Sequence, residues 1–439
     1  MIRQTEAAAD VGGFYYFTKG IAKMELSRVV VTGLGIVSPI GNNLNDFWNN
    51  LVNGVSGADN ITLYNASKFK TRFACEVKGF DPTQFLDRKE ARKLDRFTQF
   101  ALVVSDQAMD DAGLNKNNIN PERVGVVFGS GIGGVQTFQQ EVSDFARGDG
   151  TPRYSPFFIP KMILDIGSGQ ISIRHNLRGP NFAVVSACAT SSNAIMEAYN
   201  LLRLGKADII LAGGSEAAVC EAGMGGFVSM KALSERNDDP KTASRPYDKD
   251  RDGFVMGEAG GIIVMERLEH ALSRGAKIYC EIAGTGATAD AYHITAPHPE
   301  GLGALNVMKQ ALEDAGMKPE DIDYINTHGT STPLGDGAEV KAILGVFGDH
   351  AYKLNISSTK SMTGHCLGAA GVVEAIASIK SVMHDIVPPT INHFTDDPDI
   401  PNLNYTFNNA QQRTVRAALS NTFGFGGHNA CVIVKKYVA

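Results

Sequence analysis

Three side chains in this sequence carry the means for thiol chemistry: Cys188 in VVSACATSS, His328 in NTHGTSTPLGD and His365 in SSTKSMTGHCLGAAG. The run Phe182-Ala183-Val184-Val185 reads as the end of a buried strand. Ser191 to Leu204 has helical spacing through Ala194, Ile195, Ala198, Leu201 and Leu202. Cys188 is therefore expected at a strand-to-helix turn, where free N–H groups and the positive helix end favour a thiolate. A lone cysteine is more often a small buried hydrophobe, and a lone histidine more often a hydrogen-bonded structural residue. Two histidines in glycine-rich turns, with Lys360 shortly before the second, shift the reading. Together they suggest a sulfur nucleophile with donors aimed at a developing oxyanion.

Three further stretches stand out. In NTFGFGGHNA, Gly424, Gly426 and Gly427 allow close backbone approach to a ligand, and Phe423 and Phe425 could plug an apolar channel. A hairpin turn with two core aromatics is the plainer alternative. GSGIGG matches a dinucleotide fingerprint at Gly129, Gly131 and Gly134. The helix-like run after it leads into GDGTPRYSPFFIP and not to a second strand ending in a ribose-binding acid. A loop at a subunit or substrate contact is the better expectation. DRKEARKLDRF places Lys89, Arg92, Lys93 and Arg96 on one face of a helix, a local basic surface for an acidic partner.

These groups need elements to bring them together, and the chain repeats itself. AMDDAGL at 108–114 matches ALEDAGM at 311–317, each closing a helical run ahead of a strand. Cys188 is followed by Glu197-Ala198 and Asp208-Ile209. His365 is followed by Glu374-Ala375 and Asp385-Ile386 at the same two spacings. Two α/β halves are expected, 24–275 and 276–439, with Cys188 and His365 at equivalent helix starts meeting across a pseudo-twofold axis. Residues 1–23 read as an extension outside the fold, with Met24 an alternative start. The bulk numbers agree with an ordinary globular protein: 439 residues, 43% hydrophobic, 20% charged. A net charge of −6 gives no sign of a nucleic-acid binder. Six scattered cysteines without a CxxC pair argue against zinc and disulfides and for a reducing, cytoplasmic setting. No apolar run approaches membrane-spanning length.

The blocks ACATSS, HGTSTPLGD, STKSMTGHCLGAAG and NTFGFGGHN resemble the signature blocks of the β-ketoacyl-acyl-carrier-protein synthases, in order, from about Arg28 onward. The resemblance is greatest to the elongating, type II members. It implies the thiolase fold: duplicated α/β halves in a five-layered αβαβα arrangement, as a homodimer. It implies decarboxylative condensation of malonyl-carrier protein with a cysteine-bound acyl chain, giving a 3-oxoacyl product and CO2. By resemblance Cys188 is the acyl acceptor, and His328 and His365 bind the malonyl thioester oxygen. Lys360, paired with Glu374, orders the histidine region. The N–H groups of Cys188 and Phe425 form the oxyanion hole, and Phe425 is the gating aromatic. Thr330 and Thr332 contact the phosphopantetheine arm, with Phe227 also in the substrate site. That arm comes with acyl-carrier protein, the implied partner, and no cofactor of the enzyme's own is expected. Lys89, Arg92, Lys93, Arg96 and Lys231 are the expected dock. Some members hold a monovalent cation near the equivalents of Asn326, Glu374, Ser420 and Asn421, whereas Thr327 stands where certain relatives have an acid. His428 and Cys366 also depart from the commoner threonine and leucine.

The residue types discriminate among neighbouring chemistries. Sulfur is both a good nucleophile and a good thioester leaving group. Two neutral N–H donors stabilise an enolate without quenching it by full proton transfer. A thiolase-type enzyme would use a second cysteine as base, and an initiating synthase carries Asn for one His. A polyketide-type ketosynthase is the alternative of the same fold. A non-catalytic chain-length subunit would lack Cys188, and a papain-like hydrolase has no use for two histidines.

Overall fold

The computed structural model describes residues 26–438, so the expected extension over residues 1–23 and the start at Met24 lie outside the described residues. Val29–Val37 (β1), a fully buried run rich in β-branched residues, lies near the centre of a ten-stranded sheet. Val124–Gly129 (β2), Asn181–Phe182 (β3), Ile209–Glu216 (β4) and Ala259–Arg267 (β5) continue on one side of it in the order β1-β5-β4-β2-β3. Cys280–Ala289 (β6), Tyr324–Asn326 (β7), Asn355–Ser357 (β8), Ala417–Gly424 (β9) and His428–Lys435 (β10) extend the other side as β6-β10-β9-β7-β8. The two orders are one permutation repeated. Strand senses repeat as well: first with fifth and fifth with fourth are antiparallel, fourth with second and second with third parallel. The two sets meet where Val29–Val31 of β1 pair with Cys280–Ile282 of β6.

Seven helices matter for the site: Arg96–Asp111 (α1), Ile166–His175 (α2), Thr190–Arg203 (α3), Glu221–Ser229 (α4), Leu302–Ala315 (α5), Pro333–Phe347 (α6) and Ala370–His384 (α7). Ala194, Ile195, Ala198 and Leu202 of α3 share one core with Val372, Val373, Ile376 and Ile379 of α7, between strand residues of both halves. On one outer side Phe97, Phe100 and Val104 of α1 and Ile171 of α2 cover Val126, Phe128 and Leu211. On the other, Val307 and Ala311 of α5 and Val340 and Ile343 of α6 cover Ile325 and Ile433. This is the αβαβα sandwich. In its middle helix layer α7 is buried from Ala370 to Val382, because strands lie on both sides of it. AMDDAGL and ALEDAGM end α1 and α5, each followed by a left-handed glycine, Gly113 (φ 65°) and Gly316 (φ 61°).

Three expectations need correction. Of the run 182–185, expected to end a buried strand, only Phe182 lies in a strand, the short edge strand β3, and Phe182 and Val185 are exposed. The helix equivalences are offset by three residues. Ala187 (φ 50°) precedes Cys188 and α3, whereas the matching left-handed residue before α7 is Leu367 (φ 46°). Gly368 is thus the counterpart of Cys188, and His365 sits one turn earlier, bridged to Met256. The basic segment does not form one helix either. Asp87 caps a short turn over Arg88–Ala91, and Asp95 then caps α1 through Phe97 N–H, so Arg96 begins a different helix.

Candidate active site

Cys188 sits in the 3₁₀ turn Ala187–Ala189 at the mouth of α3. A left-handed alanine before it costs on the order of 1 kcal/mol, and that strain turns the thiol toward the second half of the molecule. There the His365 Nε2 lies 3.0 Å from Cys188 Sγ. The His328 ring is perpendicular to His365 with centroids 5.2 Å apart, and Phe423 flanks it at 5.6 Å. A cavity of about 430 Å³ opens on all three, and Thr330, Thr332, Phe227, Phe425 and Lys231 are among its lining. The structure therefore gathers the expected nucleophile, histidines and substrate-contacting residues in one chamber. The Thr330 and Thr332 hydroxyls are 3.0 Å apart.

The loop after β9 is a hairpin turn and a site wall at once. Gly424 pairs with His428, while the N–H groups of Phe425 and Cys188 both favour negative charge on the Cys188 sulfur. A Cβ on Gly424 would lie 2.8 Å from the Ser186 carbonyl oxygen and 3.1 Å from Cys188 N, so only glycine permits this approach.

Burial outweighs the helix terminus at the sulfur. Desolvation pushes the Cys188 thiol up to about 12, against the lowering pull of Lys360 and the two N–H groups. The resting group is a thiol, not the expected thiolate, and the adjacent imidazole is the base within reach. Burial, followed by the nearby Lys360 charge, holds both His328 and His365 well below the ordinary histidine value. Both rings are neutral at pH 7 and each offers one N–H.

Lys360 lies behind the chamber, 1% exposed, in contact with Glu374 Oε1. Burial pushes the Glu374 carboxyl up to about 7. Asn326 Oδ1, Glu374 Oε2, Ser420 Oγ and Asn421 Oδ1 are buried without a hydrogen-bond partner. Four unpaired oxygens, one on a carboxylate, fit a hard monovalent cation better than an empty apolar void.

Two carboxylates at the site were not singled out from the sequence. Glu339 of α6 accepts the His328 and Gly329 N–H groups at 2.9 Å each and the Asn421 amide at 3.2 Å, which fixes the turn carrying His328. Burial raises it to about 7. Its legible signal is an acid flanked by small and apolar residues in GAEV, close behind the block that carries His328. Glu216, the last residue of β4, grips the glycine loop 130–132.

The basic group divides. Lys89, Arg92 and Lys93 are exposed, and Lys89 and Lys93 edge a second cavity of about 590 Å³ with Leu94, Phe157 and Ile166. Arg96 is instead held by the buried Glu258 at 2.9 Å and is not part of an exposed face. Lys231, exposed at φ 54°, stands at the mouth of the catalytic chamber.

A duplicated αβαβα chain with a cysteine and two histidines converging at its centre defines a thiolase-fold condensing enzyme. Residues 26–271 match the family described as "Beta-ketoacyl synthase, N-terminal domain", and residues 279–394 match its C-terminal counterpart. The chain is 51% identical over 417 residues to the 3-oxoacyl-[acyl-carrier-protein] synthase 2 of Synechocystis, covering 95% of this chain and 100% of that one. A β-ketoacyl synthase crystal structure from Burkholderia phymatum superposes with a TM-score of 0.87 at 33% identity, covering 94% of this chain and all of that one. A type II polyketide ketosynthase bound to its acyl-carrier protein and a hexaketide gives 0.86 at 33% identity, again covering 94% of this chain and all of that one. The chain belongs to the β-ketoacyl synthase family and is an acyl-transferring condensing enzyme. No helix among the described residues is long and apolar enough to cross a membrane.

Proposed function

We propose that the chain elongates fatty acyl groups, condensing a Cys188-bound acyl chain with malonyl-carrier protein to give 3-oxoacyl-carrier protein and CO2. The observation that carries this reading is the 3.0 Å contact of His365 Nε2 with Cys188 Sγ in a chamber shared with His328. In the first half-reaction the thiol attacks the incoming thioester carbonyl as its proton moves to His365. The N–H groups of Cys188 and Phe425 receive the oxyanion, and the carrier thiol leaves with a proton. In the second, the neutral imidazoles of His328 and His365 donate N–H hydrogen bonds to the malonyl thioester oxygen. CO2 leaves, the resulting enolate carbon attacks the acyl-Cys188 carbonyl, and the bond from that carbonyl to sulfur breaks; the released thiolate takes a proton from solvent to return to the resting thiol. Lys360 with Glu374 holds positive charge behind the histidines, which favours their neutral form. Asn326, Glu374, Ser420 and Asn421 would hold a monovalent cation, which when bound supplies fixed positive charge to their unpaired oxygens.

The phosphopantetheine arm enters past Lys231 and runs alongside the Thr330 and Thr332 hydroxyls, and the carrier protein docks on Lys89, Arg92 and Lys93. Elongation is favoured over a polyketide role because identity is 51% to the synthase 2 of Synechocystis and 33% to the polyketide ketosynthase. The exposed edge β3, with Phe182 and Val185, offers a self-complementary contact for a homodimer about a twofold axis. We place the boundary between halves near residue 275, in the link between β5 and β6, and assign a reducing cytoplasm to the six free thiols. The deciding experiment incubates the enzyme with acyl-carrier protein thioester and then malonyl-carrier protein. Mass spectrometry should find the acyl group on Cys188 first and a 3-oxoacyl product second. An enzyme that makes product without ever holding acyl on Cys188 would overturn the reading.

A further inference from the structure

The glycine loop Gly129–Gly134 closes on a side chain of its own chain. Glu216 is fully buried, and four donors converge on its carboxylate. The Ser130 hydroxyl (2.8 Å) and Ile132 N–H (3.1 Å) donate to Oε1. Gly131 N–H (2.7 Å) and Gly368 N–H (3.0 Å) donate to Oε2. The N–H nest that such a loop can offer to a phosphate is filled by this carboxylate. A Cβ on Gly131 would lie 2.6 Å from Glu216 Oε2, and one on Gly368 2.4 Å from Gly131 N. Gly131 belongs to the first half and Gly368, the counterpart of Cys188, to the second. The carboxylate pins the halves together beside the nucleophile.

What the pin holds is the apolar wall behind the thiol. Leu367, next to Gly368, and Ile132, next to Gly131, pack in one cluster with Cys188, Met224, Phe254 and Phe227. A hydrocarbon chain on Cys188 has this cluster as its apolar surroundings. Ile132 and Leu367 both belong to this packed cluster, so a long chain has to displace more of it than a short one does.

We propose that Glu216 is a positioning residue that clamps the Ile132 and Leu367 walls behind Cys188 and thereby sets how acyl chain length governs transfer to the thiol. This rests on Cys188 being the acyl acceptor. Only a carboxylate accepts from all four donors, because it has no proton of its own to place. In Glu216→Gln the amide nitrogen must face two of the four. The Ser130 hydroxyl can turn and accept, but a backbone N–H cannot, so the clamp loses a side.

The test measures acyl transfer to the full-length enzyme from butyryl- and palmitoyl-carrier protein, with malonyl decarboxylation and melting temperature alongside. For Glu216→Gln the palmitoyl-to-butyryl ratio should rise about tenfold, on top of whatever change both thioesters share through loss of the Glu216 charge near Cys188. Ser130→Ala should move the ratio the same way by less, and it decides the matter if the Gln variant does not fold. Equal changes for both thioesters, or an unchanged ratio, overturn the proposal. Failure of the unmodified enzyme to take butyryl onto Cys188 overturns the assignment of the acyl acceptor instead.

Discussion

The two halves share a strand order but begin their central helices differently. Before α3 the chain passes a left-handed alanine and presents Cys188; before α7 it passes a left-handed leucine and presents Gly368. The second half places His365 one turn earlier, on a segment bridged to Met256, and adds His328 from the end of β7. The connections differ too. Residues 38–95 join β1 to α1 and carry the basic segment, whereas residues 290–301 alone join β6 to α5 and border the chamber. Duplication supplies two equivalent backbones, and chemistry arises where their side chains stop being equivalent. One half contributes the thiol, the other the two imidazoles gathered beside it.

Removing the holder is the harshest break of that division. Cys188→Ala should abolish condensation outright, because no second thiol lines the chamber among the described residues, while malonyl decarboxylation persists on the untouched histidines. Release of CO2 from malonyl-carrier protein, followed beside product formation, checks both halves of this statement. Persistent condensation would sink it.

Removing a donor should damage one half-reaction more than the other. His328→Ala should slow decarboxylation by about 10²–10³-fold, the usual cost of losing one preorganised oxyanion donor. Acyl transfer to Cys188 should stay within about threefold, since the imidazole in contact with the thiol is that of His365. His365→Ala should slow both, because its Nε2 also takes the thiol proton. Single-turnover acylation and CO2 release, measured separately, distinguish the two variants; identical profiles would erase the distinction between the rings.

The pH response sharpens the same contrast. Both histidine values are lowered, so the neutral donors survive as pH falls through the ordinary histidine value of about 6.5 and are lost only well below it. Decarboxylation by Cys188→Ala, which reports the donors without the thiol, should hold steady from neutral pH through that value. An acid limb centred at or above it would mean that the rings are not buried neutral groups.

The residues that converge on the chamber and the repeated strand order were legible in the sequence because both leave short-range marks. Four ordered blocks mark the chamber, and AMDDAGL and ALEDAGM mark equivalent helix ends. The three-residue slip between Cys188 and His365 was hidden because Glu197 and Glu374 lie at matching spacings while the helix starts do not. A side-chain match inside two helices cannot fix where each helix begins. Glu216 and Glu339 carry no such mark because most of their partners are backbone N–H groups brought in by the fold, with Glu216 reaching Gly368 across the halves. The thiolate expectation erred for a related reason: a helix terminus is visible in sequence, but the burial that opposes it is not.

The smallest effect concerns the long connection that only the first half carries. Lys89 and Arg92 are exposed, and each such contact with an acidic carrier protein is worth about 1 kcal/mol or less and is screened by salt. Reversing both charges should raise KM for carrier-protein thioesters severalfold at low salt, converge with the parent at high salt, and leave pantetheine thioesters unaffected. Arg96 supplies the control within the same stretch. It neutralises Glu258, which is fully buried, so Arg96→Ala strands a charge and should cost about 3–5 kcal/mol of stability. That loss should appear as a lower melting temperature and in every substrate alike. If the Lys89 and Arg92 reversal also lowered the melting temperature and hit both substrate types equally, the segment would be a structural insertion and the carrier protein would dock elsewhere.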